Sequence, residues 1–425
     1  MRVIIAGGGL GGLSLTLSLN AAGIDAVMYE AAPELRSVGL GINVLPHACR
    51  ELIELGLGER LEQSGIRTEA LMYANRHGQE IWREPRGKFA GYNWPQYSIH
   101  RGALQMLMYD AVVERMGAGA VQAGQRVARA ETIDGGVKVW LRDEQGEPSG
   151  TVTGDILVGC DGIHSAVRAQ FYPDEGPPKW NQRVLWRGVT LGEQFLGGAT
   201  MVMAGHQDQK FVCYPIDASI AKTGRSMINW IAELRFPETD VWRREDWNRA
   251  GRLEDFLPQF ESWHFGWLDV PKIIKGAERV LEYPLVDRDP VARWTFGRAT
   301  LLGDAAHPMY PIGSNGASQA ILDARTLAYH LANEGSVDEA LAKYEAVRRP
   351  ATERLVLLNR GNGPEQVMQL AHERAPNGFS HVHDVLSQAE LEATAGEYKK
   401  VAGFDRDALN QRPSLNPRVA ADARS

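Results

Sequence analysis

The residues most able to do chemistry stand at the start of the chain. Gly7-Gly8-Gly9-Leu10-Gly11-Gly12 follows the apolar run Val3-Ile4-Ile5-Ala6 directly, and Glu30 closes a second apolar run. A strand that breaks into such a turn and then a helix presents unpaired backbone N–H groups to phosphates. Gly7 permits the tight turn, Gly9 lets a pyrophosphate approach the backbone, Leu10 opens the helix, and Gly12 lets that helix lie close to the strand. Glu30 is then placed to accept a hydrogen bond from a ribose. The expectation is a dinucleotide site, and the turn alone leaves open whether the dinucleotide is FAD or NAD.

Two later segments narrow the choice. Gly159-Cys160-Asp161-Gly162-Ile163-His164-Ser165-Ala166-Val167-Arg168 reads as the end of a buried strand, a sharp turn and the start of a helix. Gly303-Asp304-Ala305-Ala306-His307-Pro308 follows another short apolar strand and leads through Gly313-Ser314-Asn315-Gly316 into a helical pattern over 317–331. With these three motifs in this order, the chain resembles the single-component FAD-dependent aromatic hydroxylases, the family of para-hydroxybenzoate and salicylate hydroxylases, over roughly residues 1–360. The resemblance implies that Asp304 binds a ribityl hydroxyl, and that the turn from Gly313 through Asn315 to Gly316 offers N–H groups to the flavin ring. It associates Asp161 with FAD and the transient nicotinamide. Gly41 falls in a loop near the ring, and Arg101 opens a helix beside FAD with Gln105 one turn on. Tyr97-Ser98-Ile99-His100-Arg101-Gly102, Trp186-Arg187-Gly188-Val189-Thr190, Trp247-Asn248-Arg249-Ala250-Gly251-Arg252-Leu253-Glu254-Asp255 and Tyr283-Pro284-Leu285-Val286-Asp287-Arg288-Asp289-Pro290 are similar to the phenazine monooxygenase subgroup.

The implied reaction uses NADPH or NADH to reduce FAD, forms a flavin C4a-hydroperoxide with O2, and transfers one oxygen to a planar aromatic or N-heteroaromatic ring. The implied substrate is a carboxylic acid, and its hydroxylation is with or without decarboxylation. Such chemistry asks the protein for binding, orientation and exclusion of water rather than for a nucleophile or a metal. The resemblance implies that the flavin is the catalytic group and that no metal is needed, which accounts for the absence of an evident Cys/His cluster, Ser-His-Asp set or His-Glu-x-x-His helix. Trp186, Arg187, Tyr214, Trp230, Tyr310 and Pro311 are the substrate-pocket candidates: aromatic walls for a planar ring, with Arg187 to steer a carboxylate. Each of the aromatic residues fits a sheet core equally well. His47, His100 and His206 are lone histidines, a type more often found on the surface or hydrogen-bonded in a core than acting as a base.

Other classes make different demands. A flavin-dependent halogenase shares the first turn, but its Trp-x-Trp-x-Ile-Pro string is absent here. A flavin-binding or NAD-binding sensor would hold the cofactor and turn nothing over.

These groups need a scaffold. The pattern predicts an α/β fold: a Rossmann-like FAD-binding domain of the glutathione-reductase type, an inserted antiparallel β-sheet substrate domain, and C-terminal helices. Residues 1–75, 97–180 and 279–360 are assigned to the first, 76–96 and 181–278 to the second, and 361–425 to helices and a mobile tail beginning at Asp405. Helical spacing covers 100–116, a β-ribbon covers 126–140, and alternating strands cover 184–191, 200–205, 210–216 and 226–234.

With 425 residues, 44% of them hydrophobic and 23% charged, the chain has material for two cores. A net charge of −7 gives no reason to expect nucleic acid or an anionic membrane as partner. No run reaches the roughly 18 apolar residues of a spanning helix, so no integral membrane segment is expected. The first strand starts too early for a signal peptide, which points to the cytoplasm. Three scattered cysteines form neither a disulfide framework nor a zinc site. Monomer and homodimer are equally compatible with the sequence.

Overall fold

The computed structural model describes residues 1–237 and 249–416; Trp247 and Asn248, quoted above for the subgroup resemblance, lie outside the described residues. Five parallel strands form the first sheet, in the spatial order Ala299–Leu301, Ile156–Gly159, Arg2–Ala6, Asp25–Glu30, Val121–Ala123. Val3, Ile4, Ile5, Ile156, Leu157 and Val158 are all fully buried, which is why these strands read as unbroken apolar runs rather than alternating ones. The Leu10–Ala21 helix packs against both the Arg101–Met116 and Gly316–Asn333 helices. All three motifs leave the carboxyl ends of strands that are neighbours in this one sheet, the end at which open α/β sheets bind ligands.

The second sheet has seven strands, in the order Val280–Asp287, Lys179–Glu193, Arg225–Arg235, Gln209–Pro215, Thr200–His206, Ala70–Ala74, Glu80–Pro85. It is antiparallel except for Thr200–His206 beside Ala70–Ala74, which run parallel. The parallel pair arises because Ala70–Ala74 and Glu80–Pro85 form a hairpin from a distant part of the chain that docks on the sheet edge as a unit. The expected division at 76 and 279 therefore needs moving: the sheet includes Ala70–Ala74 and Val280–Asp287, which the sequence pattern had left with the nucleotide-binding half.

Successive side chains of a strand point to opposite faces, and here the two faces differ in kind. The outer face carries Trp186, Trp230, Phe211 and Cys213 against Phe256, Phe260 and Trp263. The inner face carries Leu71, Tyr73, Met201, Met203, Val212 and Tyr214, with Val367, Met368 and Leu391 of the C-terminal segment packed on it. Buried Lys210 ties that segment down, its Nζ lying 2.6 Å from Glu365 and 3.1 Å from Glu233.

Of the tail, residues 405–416 are described and depart from expectation, while 417–425 lie outside the described residues. Asp405 accepts a hydrogen bond from the Ala408 N–H and caps a helix, Arg406–Gln411. Beyond it Arg412 pairs with Glu51 at 2.6 Å, Ser414 donates to Glu54, and Asn416 accepts from Arg325. Polar composition suggested mobility, but these polar groups find fixed partners on the Pro46–Glu54 and Gly316–Asn333 helices.

Candidate active site

The glycine turn is fixed by close backbone approach, within itself and to the neighbouring strand end at Cys160. Gly7 has φ +102°, and a side chain there would meet the Cys160 carbonyl oxygen at 2.5 Å. A Cβ on Gly12 would lie 2.0 Å from the Gly7 oxygen, so the helix could not approach the strand with any other residue. At Gly9 a Cβ would meet nothing within 4 Å. Two glycines thus face protein and the middle one faces open space at a helix N-terminus, which fits a pyrophosphate laid against the backbone. Leu10 begins the helix as expected. Gln105 donates to the Gly8 carbonyl at 2.8 Å and so braces the turn. Glu30 accepts from the Gly8 N–H at 2.5 Å and from the Ala32 N–H at 2.8 Å, so the carboxylate expected to meet a ribose also holds the loop beneath it.

The third motif is held from a distance. Asp304 is exposed and takes no hydrogen bond from the described residues, yet burial by the protein around it raises its carboxyl pKa, opposed by His307 and Arg101. A carboxylate that solvent reaches but protein surrounds lies in a cleft, and it suits an acceptor for a ribityl hydroxyl. Arg101, also exposed, opens the Arg101–Met116 helix with its side chain against Gly39, the start of the Gly39-Leu40-Gly41 loop.

Behind Asp304 lies a support that sequence reasoning missed. Asp323 is fully buried and accepts from the Gly303 N–H at 3.0 Å, from His307 Nε2 at 2.5 Å and from Arg348 Nε at 2.7 Å. Burial opposes its ionisation, but His307 and Arg348 outweigh it and hold the pKa down to about 2. Arg168, from the middle motif, donates to the Ala305 and Ala306 carbonyls and locks the second motif to the third. Asp161 itself is committed to capping: it accepts from Ser165 Oγ at 2.5 Å and from the Ala166 N–H at 2.7 Å.

The turn that follows was expected to act through its backbone, and its side chains are arranged accordingly. Gly313, at φ +66°, and Gly316 leave the backbone accessible, and Ser314 adopts φ +57°, a left-handed conformation rare for a residue with a side chain. Asn315, expected near the flavin ring, is fully buried, and its Nδ2 donates to the Gly313 carbonyl and to the Tyr398 hydroxyl. Its side chain shapes the turn from behind, and only its backbone is left for a ligand.

The inner face of the seven-stranded sheet, the Gly313–Ser314 turn and the Gln388–Val401 helix meet round a narrow, partly open cavity of about 20 Å³. Leu45, Leu71, Tyr73, Met201 and Met203 form apolar wall, and Gly313 and Ser314 bring the flavin turn to its edge. Two methionines make that wall adaptable to a planar ligand.

None of the residues singled out for substrate lines it. Trp186 and Trp230 belong to the outer face: Trp186 stacks on Phe256 at 4.9 Å, and their indole N–H groups donate to Glu282 and Thr190. They are core, because an alternating strand does not reveal which of its faces meets the cofactor. Tyr310 is buried with Leu185, Leu285 and Ile312. Pro311 is exposed on the turn. Arg187 and Tyr214 do reach the inner face, beside Gly41: Arg187 donates to the Gly41 carbonyl at 3.0 Å, and Asn229 accepts from the Gly41 N–H at 2.7 Å. His47 stacks on Phe404 and is kept neutral by burial, His100 caps the Arg101–Met116 helix, and His206 stacks on His372.

Adjacent motif strands, a glycine turn open at its middle residue and a clefted carboxylate together define a dinucleotide-binding fold with a second, largely antiparallel sheet. Residues 1–249 and 280–358 match the family model described as an FAD binding domain. The chain is 48% identical over 362 residues to the phenazine 1,6-dicarboxylic acid hydroxylase of Lysobacter antibioticus, covering 84% of this chain and 89% of that one. It is 31% identical to the 3-hydroxybenzoate 6-hydroxylase of Klebsiella oxytoca, covering 85% and 88%. The fold matches Klebsiella pneumoniae HpxO, solved with FAD and uric acid, at a TM-score of 0.73 and 25% identity over 96% of each chain. A salicylate hydroxylase shares the fold at a TM-score of 0.72 and 21% identity over 99% of each chain. The protein belongs to the FAD-dependent aromatic hydroxylases, and is a monooxygenase.

Proposed function

We propose that this enzyme hydroxylates a planar aromatic or N-heteroaromatic carboxylic acid, with NADPH or NADH as electron donor, O2 as oxygen source and FAD as resident cofactor. The observation that carries the reading is the cavity that meets the Gly313–Ser314 turn, with an apolar wall on one side and Glu84, Arg86 and Lys399 on the other. The 48% identity to a phenazine dicarboxylic acid hydroxylase favours a fused-ring acid.

The roles divide by lobe. Gly7, Gly9, Leu10 and Gly12 hold the pyrophosphate, Glu30 the adenosine ribose and Asp304 the ribityl chain, while Arg101 and Gly41 border the ring and backbone N–H groups from Gly313 to Gly316 polarise its edge. Gln105 and Asp161 act from behind, fixing the two turns. Bound FAD supplies the redox chemistry, accepting a hydride from the nicotinamide and activating dioxygen. Leu45, Met201 and Met203 hold the substrate ring and exclude water. Among the described residues no helix is long and apolar enough to cross a membrane. We place the reaction in the cytoplasm.

The test is NADPH and NADH oxidation by the FAD-loaded protein under ¹⁸O₂, with phenazine-1-carboxylate, phenazine-1,6-dicarboxylate and 3-hydroxybenzoate. Ligand-stimulated turnover with one labelled oxygen in the product is expected, and the product mass also shows whether CO2 has left. A protein that binds FAD but oxidises nicotinamide at one slow rate whichever acid is present would count against the reading.

A further inference from the structure

The cavity beneath the inner face is not apolar throughout. Glu84, Arg86 and Lys399 share its lining with Gly313 and Ser314. Arg86 follows the Glu80–Pro85 edge strand and is 8% exposed. Its Nη2 lies 3.0 Å from Glu84, and Lys399 pairs with the other oxygen of the same carboxylate. Burial works against ionisation of Glu84, but Arg86 and Lys399 outweigh it and hold its pKa below the ordinary range. Two cations therefore share one anion, and of the two Arg86 is buried while Lys399 is partly exposed, so the carboxylate of Glu84 is divided between a buried guanidinium and a solvent-accessible ammonium. Three buried polar atoms at the same place have no partner among the described residues: Arg86 Nε, the Tyr73 hydroxyl and Gln96 Oε1. Arg86 Nε and the Tyr73 O–H are donors, and turning the Gln96 carboxamide over would present a third. A buried guanidinium with only a shared carboxylate, and unused donors beside it, are costly unless an anion completes them.

We propose that Arg86 is the anchor for a carboxylate of the ring substrate, an assignment that rests on the substrate class inferred above. The carboxylate completes the guanidinium with Tyr73 beside it, and the ring lies along Met201 and Met203 toward the flavin turn. Arg187, the arginine first suggested by sequence, already spends a donor on the Gly41 carbonyl and serves the loop instead.

The experiment measures binding by the FAD-loaded protein, followed by quenching of protein fluorescence, with phenazine-1-carboxylate and with uncharged phenazine as probes. Wild type is expected to favour the carboxylate. Arg86→Gln should weaken the carboxylate about 10- to 100-fold and leave phenazine within about twofold, the loss expected for a charge-assisted hydrogen bond. Arg86→Lys should keep part of the preference, since the charge stays but the fork is lost. Glu84→Gln removes the competing anion and should tighten carboxylate binding several-fold. If Arg86→Gln does not fold, the Glu84→Gln result decides. Equal weakening of both probes by Arg86→Gln, or unchanged or weaker carboxylate binding by Glu84→Gln, would overturn the anchor. Those results leave the hydroxylase reading standing when wild type still hydroxylates the acid; a wild type that neither binds nor turns over any aromatic acid removes that reading instead.

Discussion

Two turns frame the proposed cofactor site, and they are held in different ways. The Gly7 to Gly12 turn is fixed chiefly by contacts among residues of the same short segment and its strand neighbours: glycine against carbonyl, helix against strand. The segment from Gly303 to Gly316 is fixed by side chains from far along the chain: Asp323, Arg348, Asn359 and Tyr398. A turn fixed by backbone approach is most sensitive to change at the glycines that face protein, Gly7 and Gly12. A remotely braced turn can be altered from a distance, which makes the C-terminal helices part of the active site in energetic terms.

The sharpest way to break the comparison is inside the first turn. Gly12→Ala puts a methyl 2.0 Å from the Gly7 oxygen, a backbone atom that cannot step aside without opening the strand-to-helix packing. A destabilisation of about 3 kcal/mol or more is expected, with loss of bound flavin. Gly9→Ala is its counterpart, because that methyl meets no protein atom within 4 Å and the backbone there is extended, φ −71°. It should leave the melting temperature of the flavin-free protein nearly unchanged while weakening FAD binding. Equal effects of the two substitutions on the flavin-free fold would show that the open side of Gly9 is not where the cofactor lies.

Asp323→Asn attacks the remote brace and ranks next. It leaves the guanidinium of buried Arg348 without its carboxylate, at a cost of about 3–5 kcal/mol near neutral pH. The same residue sets an acid limb. Its carboxyl is held to about 2 in the folded protein, against roughly 3.9 unfolded, so between those values the unfolded chain binds more protons. The stabilisation is present in full above about pH 4 and is lost as pH falls toward 2. Urea titrations between pH 7 and pH 3 should show the gap between wild type and variant narrowing toward the acid end. A gap that stays constant, or widens, contradicts the ion-pair account.

What the sequence made legible follows the same division. The glycine turn, Asp304 and the helix opened by Arg101 were visible because each is specified by neighbours within a few residues. The inner strands were visible too, since alternation marks a half-buried sheet. Alternation gives two sets of side chains without saying which set meets the cofactor, so Trp186 and Trp230 were as plausible as Met201 and Met203. Size and aromaticity pointed to the tryptophans, but an outer layer containing Phe256 and Phe260 claims them. Arg86, Asp323 and Tyr398 carried no local pattern; Asp323 meets partners 16 to 25 residues away and Tyr398 partners 39 to 86 residues away, and the meaning of Arg86 depends on the C-terminal helix that brings Lys399 to the same carboxylate. The tail misled for a related reason, its polar residues being partners for Glu51, Glu54 and Arg325 rather than for water.

The smallest effect sharpens the comparison most. Tyr398, on the Gln388–Val401 helix, is fully enclosed, and its hydroxyl lies 2.9 Å from Asn315 Nδ2, 3.0 Å from the Ile312 carbonyl and 3.1 Å from Asn359 Oδ1. It accepts from Asn315 and has one proton to give, so it bridges the flavin turn to the Val337–Arg360 helix through a single shared donor. A Cβ on Gly313 would fall 2.0 Å from the same oxygen, so the tyrosine occupies the volume that makes glycine necessary there, beyond its positive φ. Tyr398→Phe keeps the ring and removes only the bridge. It should cost about 1–2 kcal/mol of stability and weaken FAD binding by a few-fold, with a shifted flavin absorption band reporting the loosened turn. Because the residue lies 82 positions beyond Gly316, a measurable change in the flavin spectrum would show the turn to be held from the C-terminal helix. A variant with lowered stability and an unaltered spectrum and FAD affinity would reduce Tyr398 to core packing and return the turn to local control.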